Sequence, residues 1–237
     1  MNIWGMIIGG AAGFAIGGPI GALLGIAAGH YAEAKLKGPG DPIEARKVAF
    51  TVSIIALSAK MAKADGTITR SEITAFRQKV HIPSKDLKRV GQFWDLARQT
   101  PDGFQSYAKQ SVDLFGSRAP ILEQLLELLF YIAKADGEIS VPEWEYLNSV
   151  STIFGFGDHE FKRMADIYGT GEGSAHIILG VAPDADESEI KAAWKRLVKE
   201  NHPDKLISQG LPDEFIEAAT DRMHLINEAY NSMRKQK

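Results

Sequence analysis

The chain has 237 residues, room for one large or two small domains, and 45% of them are hydrophobic and 24% charged, an ordinary globular balance. A formal net charge of only −3, from 27 Lys and Arg against 30 Asp and Glu, excludes a global polyanion-binding field. The absence of cysteine excludes disulfides and cysteine-ligated zinc and is consistent with a reducing compartment.

The first segment, residues 1–36, differs from the rest. No charged side chain occurs between Met1 and Gly29. The run from Ile3 to Ala28 is long enough to cross a hydrocarbon core of about 30 Å at about 1.5 Å per helical residue. A cleaved signal peptide needs a basic start and a shorter apolar stretch, and Met1, Asn2, Ile3 and Trp4 carry no charge, so a retained anchor is expected. Gly5, Gly9, Gly13, Gly17, Gly21, Gly25 and Gly29 recur every four residues. On a helix they form a side-chain-free stripe along which two backbones can approach, predicting self-association, with a homodimer as the simplest product. Pro19, after Gly17 and Gly18, leaves two arrangements open, a single span and a membrane hairpin. Lys35, Lys37, Arg46 and Lys47 follow the segment, which places the C-terminal bulk on the cytoplasmic side. Leu36 to Pro42, rich in Gly and Pro, ends the anchor.

Residues 43–168 contain an internal repeat. Ala62-Lys63-Ala64-Asp65-Gly66-Thr67-Ile68 returns 71 residues later as Ala133-Lys134-Ala135-Asp136-Gly137-Glu138-Ile139, and Glu72 maps onto Glu143. The apolar residues before each copy, Ile54, Ile55 and Leu57 against Leu125, Leu126 and Leu128, have helical period. A second helix follows in both copies, with Ile73 and Phe76 in one and Trp144 and Leu147 in the other. Helices are also expected over 85–98 and 158–168, and no strand is. The repeat mimics the end of a calcium loop, but Met61, Lys63, Ile132 and Lys134 occupy the places where oxygen donors are needed, so an EF-hand is excluded. Asp65 and Asp136, with Glu72 and Glu143, have two readings. One is a turn and helix-capping role; the other is a divalent-metal site. The six histidines show no ligand spacing. The repeated motif resembles the TerB family, which implies an all-α domain of two related halves with an acidic surface proposed to bind metal in some members.

Gly169 to Gly173 reads as a flexible linker, and residues 174–237 as a third domain. Asp186 or Ser188 can cap a helix from Glu187 to about Asn201, with Ile190, Ala193, Trp194 and Leu197 on one face. Lys191, Lys195 and Lys199, with Arg196 beside them, form a basic ridge on another face. Pro203 stops the helix at His202, a polar loop is expected to reach Gly210, and a further helix from Pro212 carries Phe215, Ala219, Met223, Ile226 and Tyr230. Leu179-Gly180-Val181, the basic helix, His202-Pro203-Asp204-Lys205 and Asn227-Glu228-Ala229-Tyr230, in that order and spacing, resemble the J domain. With the anchor and the TerB-like middle, the whole chain resembles the membrane-anchored DnaJ-like proteins of the DjlA type.

That resemblance implies an all-α, three-part co-chaperone of the bacterial inner membrane, with no catalytic residues of its own. Its J domain docks on a DnaK-type chaperone and stimulates ATP hydrolysis there. Pro203 restrains the docking loop, Asp204 offers a carboxylate to a partner arginine, and Lys191, Lys195, Arg196 and Lys199 steer an acidic surface. The chain lacks a Gly-x4-Gly-Lys-Ser/Thr phosphate loop, so the ATP belongs to the partner. No cofactor is expected beyond the divalent ion of the second reading above. Residues 174–237 hold nine Lys and Arg against eleven Asp and Glu, which argues against nucleic acid. The alternative is a membrane scaffold or metal-responsive TerB-like module whose J domain does not stimulate.

Overall fold

A helix that is mostly apolar on every side must be buried on every side, and α1 (Pro42–Ala64) is such a helix beyond its charged first turns. From Val48 to Ala62 every residue is buried, including Thr51, Ser53, Ser58 and Lys60. Buried polar groups need partners. The Thr51 hydroxyl donates to the Lys47 carbonyl (3.0 Å), Ser53 and Ser111 share a hydrogen bond of 2.9 Å, and the Lys60 ammonium lies 5.3 Å from the centre of the Tyr107 ring. The computed structural model that shows this describes residues 21, 42–64, 70–79, 82, 84, 87–98, 103–170 and 173–235. Among the described residues there is no strand.

After α2 (Arg70–Lys79), the helices α3 (Leu87–Ala97), α4 (Phe104–Phe115), α5 (Pro120–Ala133) and α6 (Val141–Phe154) pack around α1, while α2 itself packs on α5 and the turn that follows it. α4 was not anticipated. Its inward stripe of Tyr107, Ala108 and Ser111 is too polar to read as a core face, yet the Ser111 hydroxyl meets Ser53 and the Tyr107 ring meets Lys60, both on α1. α5 follows Pro120 at its first position and buries Ile121, Leu122, Leu125, Leu126, Leu128 and Leu129. The Tyr146 hydroxyl of α6 donates to the Leu57 carbonyl at 2.9 Å, tying the second repeat to the first. Between α5 and α6, Lys134–Asp136 form a single 3₁₀ turn and Gly137 has φ +123°, a conformation that glycine tolerates and other residues rarely adopt. α7 (Asp158–Met164) runs into a π-helical turn, Ala165–Thr170. Two residues expected in the linker, Gly169 and Thr170, therefore belong to a helix. Gly169 is buried where a Cβ would lie 2.8 Å from the Trp144 ring.

The C-terminal unit comprises α8 (Ala175–Leu179), α9 (Glu187–Asn201), α10 (Pro203–Gln209) and, after a 3₁₀ turn at Asp213–Phe215, α11 (Ile216–Lys235). Asp186 caps α9 in a reciprocal box with Glu189, at 2.8 and 2.9 Å. Ile190 and Leu197 pack on Ile226, Ala229 and Met233. Trp194 stacks on Tyr230 at 4.5 Å and donates to Asn227 at 2.8 Å. The expected polar loop before Gly210 is instead the helix α10, because Pro203 suits a first helical position as well as it ends a preceding helix.

Phe215 and Ala219 do not serve the hairpin core. With Leu206, Leu211 and Ala218 they join the core of the middle domain, where the Phe215 ring meets Phe50 edge-on at 5.0 Å. Gly210, at φ +111°, lies so close to α1 that a Cβ there would be 2.4 Å from the Arg46 Cβ. Lys47 pairs with Asp213 (3.3 Å) and Lys79 with Asp221 (2.8 Å). The J-type hairpin is thus packed onto the first turns of α1 and the outer face of α5.

Candidate functional site: an exposed turn on a clamped hairpin

His202 sits between α9 and α10 with extended backbone (φ −60°, ψ 129°). Its Nδ1 accepts the backbone N–H of Asp204 at 3.2 Å, so the imidazole caps α10. An accepting Nδ1 is unprotonated, which leaves Nε2 to carry the proton. Pro203 holds the first helical position, and Asp204 at the second has no backbone reason to turn inward: its side chain is 88% exposed, against 51% for His202. Behind the turn, Asn201 is buried and donates to the Leu197 carbonyl at 2.9 Å. The last turn of α9 and a proline-started α10 therefore present one exposed carboxylate, with Oδ2 3.7 Å from the His202 Nδ1.

Lys191, Lys195 and Lys199 are exposed on α9, as the spacing predicts. Arg196 stands apart from that ridge. It pairs with Glu200 at 3.1 Å and lines a cleft of about 440 Å³ at the seam with the middle domain. The glycine stripe lies outside the described residues except Gly21, which is helical. Of the acidic repeat, Asp65 and the side chain of Glu72 also lie outside them. Asp136 is exposed, and Glu143 is buried, accepting the backbone N–H and hydroxyl of Ser140, both at 2.8 Å, to cap α6. In the second copy the N-cap is therefore Ser140. Among the described residues no cluster of three or more His, Asp or Glu side chains could hold a metal ion.

A second polar group was missed by the sequence reading. Arg222, on the buried face of α11, is 3% exposed and reaches Glu123 at 2.5 Å and Glu127 at 2.7 Å, both on α5. Arg163 of α7 completes the cluster, 2.6 Å from Glu123. Burial would raise the Glu123 carboxyl, but Arg222 and Arg163 outweigh it and hold it at about 2. At Glu127 burial prevails over Arg222 and the carboxyl is raised. Tyr168, which hydrogen-bonds Glu127, is raised chiefly by burial. The signal lay in charged residues interrupting apolar stripes: Glu123 and Glu127 one turn apart among the leucines of α5, and Arg222 between Ala219 and Ile226.

A basic helix, an exposed His-Pro-Asp turn at its end and a helix packed against it define a J-domain protein. Comparison with known proteins agrees and extends this to the whole chain. The family model for the co-chaperone DjlA transmembrane domain matches residues 1–39, that for the tellurite resistance protein TerB residues 51–166, and that for the DnaJ domain residues 174–237. The chain is 28% identical to the co-chaperone protein DjlA of Photobacterium profundum, with 99% of each covered. It is 27% identical to that of Coxiella burnetii, covering 99% of this chain and 98% of the relative. The chain is thus a DnaJ-like co-chaperone of the DjlA type, with transmembrane, TerB and J domains in that order. No solved structure matches it. Among the described residues no helix is long and apolar enough to cross a membrane; the segment matching the transmembrane domain, Gly21 apart, falls outside them.

Proposed function

We propose that this chain is a membrane-anchored co-chaperone whose J domain docks on a DnaK-type chaperone and stimulates its ATP hydrolysis. The observation that carries the reading is the His202-Pro203-Asp204 turn. Its backbone is fixed by the histidine cap and by proline, so little entropy is lost on docking, while the Asp204 carboxylate stays open to solvent. A partner arginine can take that carboxylate as a bidentate pair. Lys191, Lys195 and Lys199, one turn apart on the neighbouring helix, attract an acidic surface and raise the encounter rate. Docking stimulates hydrolysis by favouring one state of the partner, which requires tighter binding to that state. The chain then contributes no reacting group, and ATP is the partner's.

In the same reading the glycine stripe from Gly5 to Gly29 pairs two anchors in a bacterial inner membrane, with the remaining domains on the cytoplasmic side. The test is a steady-state ATPase assay of a DnaK-type chaperone with the full-length protein in lipid vesicles. The expected result is a rise in turnover that saturates with added protein. No rise at any concentration would leave the scaffold alternative in its place.

A further inference from the structure

The seam between the two domains holds a second basic feature beside the docking turn. Arg118 follows α4 in the turn 116–119, with φ +58°, a left-handed conformation in which a residue with a Cβ is strained. The turn is held there by several bonds. The Arg118 N–H donates to the Phe154 carbonyl at 2.9 Å and the Ser117 hydroxyl to the same oxygen at 3.3 Å. The turn also crosses Gly155 so closely that a Cβ there would lie 2.1 Å from the Ser117 oxygen. This strained turn presents its guanidinium to the cleft that Arg196 and Lys205 line from the J domain. Lys205 directly follows Asp204, so the cleft and the docking turn are contiguous.

Two cations of this cleft are more exposed than the carboxylates they pair with, whereas Arg163, also in its lining, is 17% exposed beside Glu123. Arg118, paired with Glu160, is 58% exposed against 28% for the carboxylate; Arg196, paired with Glu200, is 56% exposed against 37%. An approaching surface therefore meets the Arg118 and Arg196 guanidinium groups before their carboxylates, and Lys205 adds a further cation. Surface pairs of this kind contribute little to stability, so an incoming carboxylate can displace the internal one at small cost.

We infer that the TerB domain supplies part of the chaperone-docking surface: Arg118, with Arg196 and Lys205 across the seam, receives an acidic segment of the DnaK-type chaperone engaged at His202-Pro203-Asp204. The inference rests on the proposed function and extends it to a domain that the J-domain resemblance leaves without a part in docking.

The experiment uses the full-length protein in vesicles and measures the concentration giving half-maximal ATPase stimulation, at low and at physiological salt. Arg118→Glu is expected to raise that concentration about tenfold at low salt, with the difference shrinking as salt rises. Arg118→Gly removes the same cation while relieving the backbone strain, so it should shift the concentration in the same direction with an unchanged or higher melting temperature. If both variants match the parent while Asp204→Asn loses stimulation, the TerB contribution is overturned and the J-domain reading stands. If Asp204→Asn also matches the parent, the proposed function fails with it.

Discussion

Arg222 of the J domain lies 2.7 Å from Glu127 of the TerB domain, 95 positions earlier in the chain, with the arginine buried and the carboxylate side chain 14% exposed. Around it Glu123 and Arg163 complete a four-residue cluster, and Phe215 enters the apolar core beside Phe50. A buried aromatic next to a desolvated arginine is the pattern of a strong contact. The J domain is therefore clamped to its neighbour with the His202-Pro203-Asp204 turn left exposed.

Breaking the clamp should separate the domains without unfolding either core. Arg222→Leu leaves two largely buried carboxylates with only Arg163 for compensation, a loss of up to about 3–5 kcal/mol. Limited proteolysis should show faster cleavage between the two domains, with helical content by circular dichroism close to the parent's. Cleavage as slow as in the parent would mean that the cluster does not hold the seam.

The two glutamates should respond oppositely to neutralisation. Folding favours the charged form of Glu123 and disfavours that of Glu127. Glu123→Gln should lower the melting temperature at neutral pH, whereas Glu127→Gln should be neutral or slightly stabilising, since Arg222 keeps Glu123. Equal losses for both would contradict this division.

Acid should release the seam through Glu123. Its folded value of about 2 lies below an unfolded value of about 4.3, so its contribution is complete above about pH 4.3 and is lost as pH falls toward 2. The difference corresponds to about 3 kcal/mol. Glu127, being raised, acts in the reverse sense: its proton-linked contribution is present at low pH and lost as pH rises through its folded value. A chemical-denaturation series from pH 5 to 2.5 should show declining stability in the parent and a flatter profile in Glu123→Gln.

Asp204→Asn should remove stimulation of the partner's ATPase while changing stability by less than about 0.5 kcal/mol, because the side chain is exposed. Leaving a partner arginine poorly paired costs about 2–5 kcal/mol, at least a tenfold loss of affinity. His202→Ala should in addition cost about 1 kcal/mol, because the imidazole also caps α10. Thermal melts alongside the ATPase assay separate the two effects.

Leucine at Gly13 and Gly17 should weaken self-association by filling the groove of the glycine stripe, yet leave insertion intact. Cross-linking in membranes and sedimentation at alkaline pH test the two halves of this expectation. A parent protein released by alkali would remove the basis of both.

The order of the parts, the all-α class and the exposed His-Pro-Asp turn are legible because each depends on local pattern. The glycine period, the repeated Lys-Ala-Asp-Gly motif and the His-Pro-Asp turn between two helices are properties of neighbouring residues. Ile190 and Leu197 could be assigned to the hairpin core for the same reason: helical period selects a face. The sequence leaves α10 indistinguishable from a loop because proline is compatible with both the end of one helix and the start of the next. α4 escaped because Ser111 counts as polar until Ser53 is seen opposite it.

What only the tertiary structure decided is what those faces bury themselves against. Phe215 and Ala219 continue the apolar stripe of the last helix, and nothing local distinguishes a residue that packs within the hairpin from one that packs on another domain. Arg222 reads as a surface charge until two carboxylates on α5, brought within hydrogen-bonding reach by packing, make its burial tolerable. Arg118 and Arg196 likewise occupy separate domains, and only the seam makes them one surface. Period specifies which side of a helix turns inward; the identity of the opposing surface follows from the fit of shapes and the pairing of charges over the whole fold, which is non-local information.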